Sequence, residues 1–163
     1  SAEPGRRVVL HADLQETGEV RCDTGSPLPV LRGRFASAGA AVDFSDLQDG
    51  WELKEGDYRD TGDCLRKRLQ RFTGWLLERP EQRIVVIAHH NVLAALLGVT
   101  FLNCEVRQYS LSVDGSWAPV APLVSACDEE LSARDKVHLQ VYDPMVRRKF
   151  QGWFGVDAPK RLR

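Results

Sequence analysis

The stretch RIVVIAHHNVLAALLG, Arg83 to Gly98, decides how this chain is read. Ile84, Val85, Val86 and Ile87 make an apolar, mostly β-branched run, the pattern of a strand buried on both faces inside a parallel sheet. Ala88, His89, His90 and Asn91 follow at once, and Val92, Leu93, Leu96 and Leu97 then recur at helical spacing. Gly98 is suited to stop that helix in a left-handed conformation. Strand, tight turn and helix put two imidazoles at the carboxyl end of a strand, where open α/β sheets bind ligands. The helix start adds unpaired N–H groups and a positive dipole end, which favour an anion. Two readings stay open at this point: a phosphate or carboxylate site with histidine beside it, or a pair of structural histidines.

Working outward, residues 61–79 read as a long helix. Asp60 or Thr61 is placed to cap it, Leu65, Leu69, Phe72 and Leu76 form one apolar stripe, and Pro80 ends it. Arg66, Lys67, Arg68, Gln70 and Arg71 are expected on the side facing water. A basic helix face also suits nucleic acid, but a solvated face is the commoner explanation and the net charge of the chain is only −1. Helix, strand and helix in this order predict an α/β domain with a mostly parallel sheet. The strand at 84–87 is expected to be internal, flanked by helices over 61–79 and 92–97.

Upstream, Val8, Val9 and Leu10 read as a short strand ending near His11. Asp13 to Glu16 follow, and Thr17-Gly18 signals a turn. Residues 22–50 are rich in Gly, Pro, Asp and Ser, with a short helix suggested by Leu28, Val30, Leu31 and Phe35. Trp51 and Tyr58 are the expected aromatic anchors beneath that segment. Downstream, residues 107–113 alternate, Asp114-Gly115 signals a hairpin, and the return strand is interrupted by Pro119 and Pro122. Residues 137–142 read as a further strand. Pro144 opens a last helix with Met145, Phe150, Trp153 and Phe154 on one surface, ahead of the basic tail Lys160-Arg161-Leu162-Arg163. The division is thus a main domain over 1–125 and an extension over 126–163.

With 163 residues, 43% of them hydrophobic and 28% charged, the chain has the length and composition of one ordinary globular domain. No apolar run approaches the roughly 20 residues that span a bilayer. No signal peptide is read at the start, and the opening Ser1 suggests a processed or trimmed product. Cys22, Cys64, Cys104 and Cys127 are widely spaced without a C-x-x-C pair, so reduced thiols are expected, in an intracellular reducing compartment, cytoplasmic or organellar. A two-histidine metal site is disfavoured because adjacent residues project in different directions, and no metal or cofactor is implied.

Several motifs in order resemble the histidine phosphatase superfamily. They are Leu14-Gln15-Glu16, Cys22-Asp23-Thr24-Gly25, Val42-Asp43-Phe44-Ser45, Gly50-Trp51, Trp75 to Pro80, Ile84 to His89, and Asn103 to Arg107. The series is most similar to the phosphoglycerate mutase-like proteins of fungi and plants. The resemblance implies a three-layer α/β sandwich with a mostly parallel sheet, and phosphomonoester hydrolysis or phosphoryl transfer through a phosphohistidine. It assigns Glu16 as the proton donor and His89 as the second histidine; His90 and Asn91, beside His89, are taken as substrate-binding residues by their position. Elementary chemistry agrees: phosphoryl transfer needs cationic or N–H groups around the equatorial oxygens and an acid near the leaving oxygen.

Two departures matter. The four histidines are His11, His89, His90 and His138, and none stands in the Arg-His-Gly motif that carries the family's nucleophile. Measured against the family, the first strand and its histidine are missing, so the chain alone is expected to be inactive, a pseudoenzyme. The second departure is His90-Asn91 where relatives carry glycine, which lets backbone approach phosphate closely. The expected ligand is phosphate or a phosphorylated small molecule, with no nucleic acid and no membrane span. A gap is expected beside 84–87, to be filled by a partner chain, another segment of the protein or a rearranged strand. The alternatives are a non-catalytic docking subunit of a larger assembly, or a fragment of an active phosphatase completed by a further N-terminal segment.

Overall fold

The computed structural model describes residues 7–36, 41–103 and 105–120. The expectations for residues 126–163, including the strand at 137–142 and the aromatic surface, lie outside the described residues.

The first strand, β1 (Arg7–Val9), follows the apolar signal at 8–10. It runs parallel to β2 (Ala41–Asp43), with Val8 opposite Val42. The pairing extends by one bond, the Leu10 N–H donating to the Asp43 carbonyl at 3.0 Å. Helix α1 (Leu28–Phe35) lies in the crossover, at the place its apolar residues indicate. The strand β2 is missed by sequence reading because it is three residues long and follows an Ala/Gly-rich segment.

The longest element is α2 (Gly62–Leu77). Its start is settled by Thr61, whose hydroxyl accepts from the Cys64 N–H at 3.3 Å. Leu65, Leu69, Phe72 and Leu76 are buried along one face, as their spacing requires. Helix α3 (His90–Leu97) ends at Gly98, whose φ of 69° supplies the expected left-handed stop. The two helices meet at Leu65, Leu69 and Val92, and Leu14, Ala88, Ala95 and Leu96 pack around that centre. A hairpin closes the described part: β3 (Tyr109–Leu111) pairs antiparallel with β4 (Trp117–Pro119) across the Asp114-Gly115 turn, where Gly115 has φ 84°.

Two expectations are corrected. Residues 84–87 do not form an internal strand. They pair with no strand among the described residues, and Val85 and Ile87 are 86% and 85% exposed. The reason is that a ladder needs a hydrogen-bonded neighbour, and among the described residues no backbone bond joins 82–88 to another segment. The sheets are accordingly two small ones, one parallel and one antiparallel, rather than one mostly parallel sheet among the described residues. The second correction concerns Arg68, expected on the water side and found 1% exposed. No helix among the described residues is long and apolar enough to cross a membrane.

Candidate functional site

The segment 11–17 leaves the end of β1 and crosses the face of α2. His11 opens it, accepting the Asp13 N–H on Nδ1 at 3.3 Å and starting the short 3-10 turn Ala12–Leu14. From Asp13 to Thr17 the chain is polar, yet Asp13, Gln15, Glu16 and Thr17 are all buried. Most buried polar groups in folded proteins have partners; here the partners come from three places, and Gln15 Oε1, Arg68 Nε and Asn91 Oδ1 are left without one.

From α2, the Arg68 guanidinium donates to the carbonyls of Asp13 at 3.2 Å and Gln15 at 2.8 Å. The same guanidinium lies over the ring of Tyr58, 5.8 Å from its centroid. One turn later, Arg71 grips the Asp13 carboxylate with two bonds, 3.1 and 2.6 Å, and reaches Asp57 with a third at 2.8 Å. These bonds raise the pKa of Arg71, the Asp13 carboxylate being the main cause. From the loop before α2, the Lys54 ammonium donates to the Glu16 carbonyl at 2.5 Å. Burial, followed by repulsion from Arg68, pulls the lysine pKa down. The Gln15 amide donates to the Trp51 carbonyl at 2.7 Å, and the Trp51 indole donates in turn to the Ser26 carbonyl at 3.1 Å.

The third is α3. Glu16 accepts the Thr17 N–H on one carboxylate oxygen at 2.6 Å and the Asn91 N–H on the other at 3.2 Å. The Asn91 N–H is one of the orphan donors at a helix start. Glu16 therefore caps α3 from 75 residues away, a carboxylate on the positive end of the helix dipole. His89, the residue preceding the helix, offers no capping side chain of its own and is exposed.

The sequence-assigned residues separate into two groups. Glu16, His89 and Asn91 meet at the start of α3. His90 faces elsewhere: its Nδ1 lies 3.0 Å from the Phe101 carbonyl, which only accepts, so Nδ1 carries the proton there. Phe101 belongs to a second polar knot. Arg107 donates to Glu105 at 2.7 Å and to the Thr100 carbonyl at 3.0 Å, and stacks 4.6 Å from the Phe101 ring centroid. Glu105 also accepts the Leu102 N–H at 2.7 Å.

Sequence reading missed Asp13, Lys54, Arg68 and Arg71. One signal was available for Arg68. It sits three residues after Leu65 and four before Phe72, hence on the buried stripe of α2.

Comparison with known proteins returns no match: no family model, no curated protein and no solved structure aligns significantly with this chain.

Proposed function

We propose that this chain is a phosphoryl-binding domain of histidine phosphatase type that does not turn over phosphomonoesters by itself. One observation supports the reading above the rest. The two motif residues that the resemblance pairs, Glu16 and His89, arrive at the same helix start, Glu16 through its bond to Asn91 two residues beyond His89. An exposed imidazole at a helix N-terminus suits a phosphate, through charge when protonated and through the dipole at any pH.

The chemistry stops short of catalysis for two reasons. None of the four histidines lies in the Arg-His-Gly context that would deliver a nucleophile in line with the leaving oxygen. Both Glu16 oxygens also accept backbone N–H bonds, so the carboxylate serves as a cap at the helix start.

Titration calorimetry with inorganic phosphate, beside a phosphatase assay, tests this. The chain should bind phosphate weakly and release none from a phosphomonoester. His89→Ala should lose the binding. Glu16→Gln should tighten it several-fold, because a like charge leaves the helix start. Phosphomonoester turnover that vanishes in His89→Ala overturns the non-catalytic reading. Absence of phosphate binding in both the natural chain and Glu16→Gln overturns the phosphoryl site.

A further inference from the structure

Residues 83–89 are unlike any other apolar segment described. From Val85 to His89 exposure alternates with a period of two, and Ile84 before them is 41% exposed. Val85 and Ile87 are almost fully open, whereas Val86 and Ala88 are half-buried and Ala88 packs on the core of Leu65, Leu69 and Val92. That alternation is the mark of extended chain with one face on the core. No backbone-to-backbone hydrogen bond involves residues 82–88 among the described residues. The segment thus has the exposure pattern of a strand from Val85 on and no ladder, and it presents Val85 and Ile87, with the partly open Ile84, to solvent.

We infer that this strand pairs with the same strand of a second copy of the chain, antiparallel, about a twofold axis at Val85. Register decides the occupant. In a symmetric antiparallel pair centred on residue 85, Val85 meets Val85, and Ile87 lies along the aliphatic stem of Arg83. His89 is brought towards Glu81, at the turn that opens the run. The exposed outer face then carries an apolar centre, with Glu81, already paired with Arg79, towards its ends. Parallel pairing in register instead sets Arg83 on Arg83 and Glu81 on Glu81, which is repulsive. Cross-strand pairs of β-branched residues are favourable, and a twofold contact closes on itself rather than propagating. The run is self-complementary in one orientation alone, which favours a second copy over an unrelated strand. The inference shares only His89 with the phosphate reading, and the variants that test it leave both His89 and Glu16 unchanged.

Sedimentation velocity over a dilution series tests it. The natural chain should dimerise reversibly. Val85→Lys and Val85→Glu, each made alone, should sediment as monomers with unchanged circular dichroism, because the side chain they replace points into solvent. Mixed together, the two variants should recover a dimer. The double variant Arg83→Glu/Ile87→Lys sets opposite charges facing in the antiparallel register and like charges together in the parallel one, so it should still dimerise. A natural chain that stays monomeric at every concentration, open-ended aggregates, a Val85→Lys variant that associates like the natural chain, or a double variant that is monomeric would each overturn the inference.

Discussion

The segments 13–17 and 84–87 stand in opposite relations to the rest of the molecule. The first is polar, carrying two carboxylates and an amide, and it is buried. The second is apolar and β-branched, and it is open to solvent at Val85 and Ile87. Hydrophobicity alone ranks them the wrong way round. What separates them is the supply of hydrogen-bond partners. Every backbone carbonyl from Asp13 to Glu16 except that of Leu14 has a side-chain or backbone partner identified above, and both carboxylates are held by two donors or more. The run at 84–87 has side chains suited to a core and no strand to complete its ladder. In these two segments burial follows the supply of hydrogen-bond partners, whereas along α2 it follows the apolar stripe.

The largest test removes the supply. Arg68→Met keeps length and apolar bulk but leaves the Asp13 and Gln15 carbonyls without their donor. Two orphaned buried carbonyls predict a loss of about 3–5 kcal/mol in unfolding free energy, read by urea denaturation. A loss below about 1 kcal/mol would mean that water replaces the guanidinium freely and that the segment is not held as described.

A smaller change sharpens the same point. Arg71→Lys keeps the positive charge and gives up the two-pronged grip on Asp13. Half of the Arg71 side chain faces solvent, so the cost should be about 1 kcal/mol, well under that of Arg68→Met. Equal costs for the two variants would show that charge near Asp13, rather than the partnering of buried carbonyls, holds the segment.

The same contrast explains what was legible in the sequence. The helices α2 and α3 and the hairpin were readable because their signals are local: the Thr61 cap, the apolar stripe, Gly98, and Asp114-Gly115. The role of 84–87 was not, because β-branched composition reports that a segment suits a strand and says nothing of whether a neighbour exists to pair with it. The short β2 escaped for the converse reason: its pairing with β1 is long-range while its own three residues carry little signal. At the site, Glu16 and His89 were chosen by motif and Asn91 by its place beside them, and the structure brings them to one helix start. Their supports were not chosen. Arg68 was read by its charge and placed in water, although its position on α2 already put it on the buried stripe. Whether an arginine is worth burying depends on carbonyls more than fifty residues away, and no local pattern encodes them.

The smallest expected effect belongs to His11, at the entrance of the satisfied segment. Its ring stands edge-on to Phe72 and Trp75, with centroids 5.1 and 4.9 Å away, and its Nδ1 accepts the Asp13 N–H. Burial between the aromatic rings lowers its pKa, outweighing the carboxylates of Asp13 and Asp46, which act the other way; Arg71 adds a further lowering influence. The folded protein therefore prefers neutral His11, and the unfolded chain takes up the proton first. As pH falls through the ordinary imidazole value near 6.5, unfolding is coupled to proton uptake and stability declines, until the folded form also protonates. A proton on Nδ1 removes the acceptor that starts the turn at Ala12, so the decline should be accompanied by faster amide exchange at Asp13. His11→Asn retains a side-chain acceptor near the same N–H and lacks the titration. Its stability should be flatter than that of the natural chain between pH 7 and 5, with the difference measured by denaturation at each pH. Stability that rises on acidification in this window, and falls flat in His11→Asn, would assign the dominant influence on His11 to Asp13 and Asp46 instead of the aromatic wall.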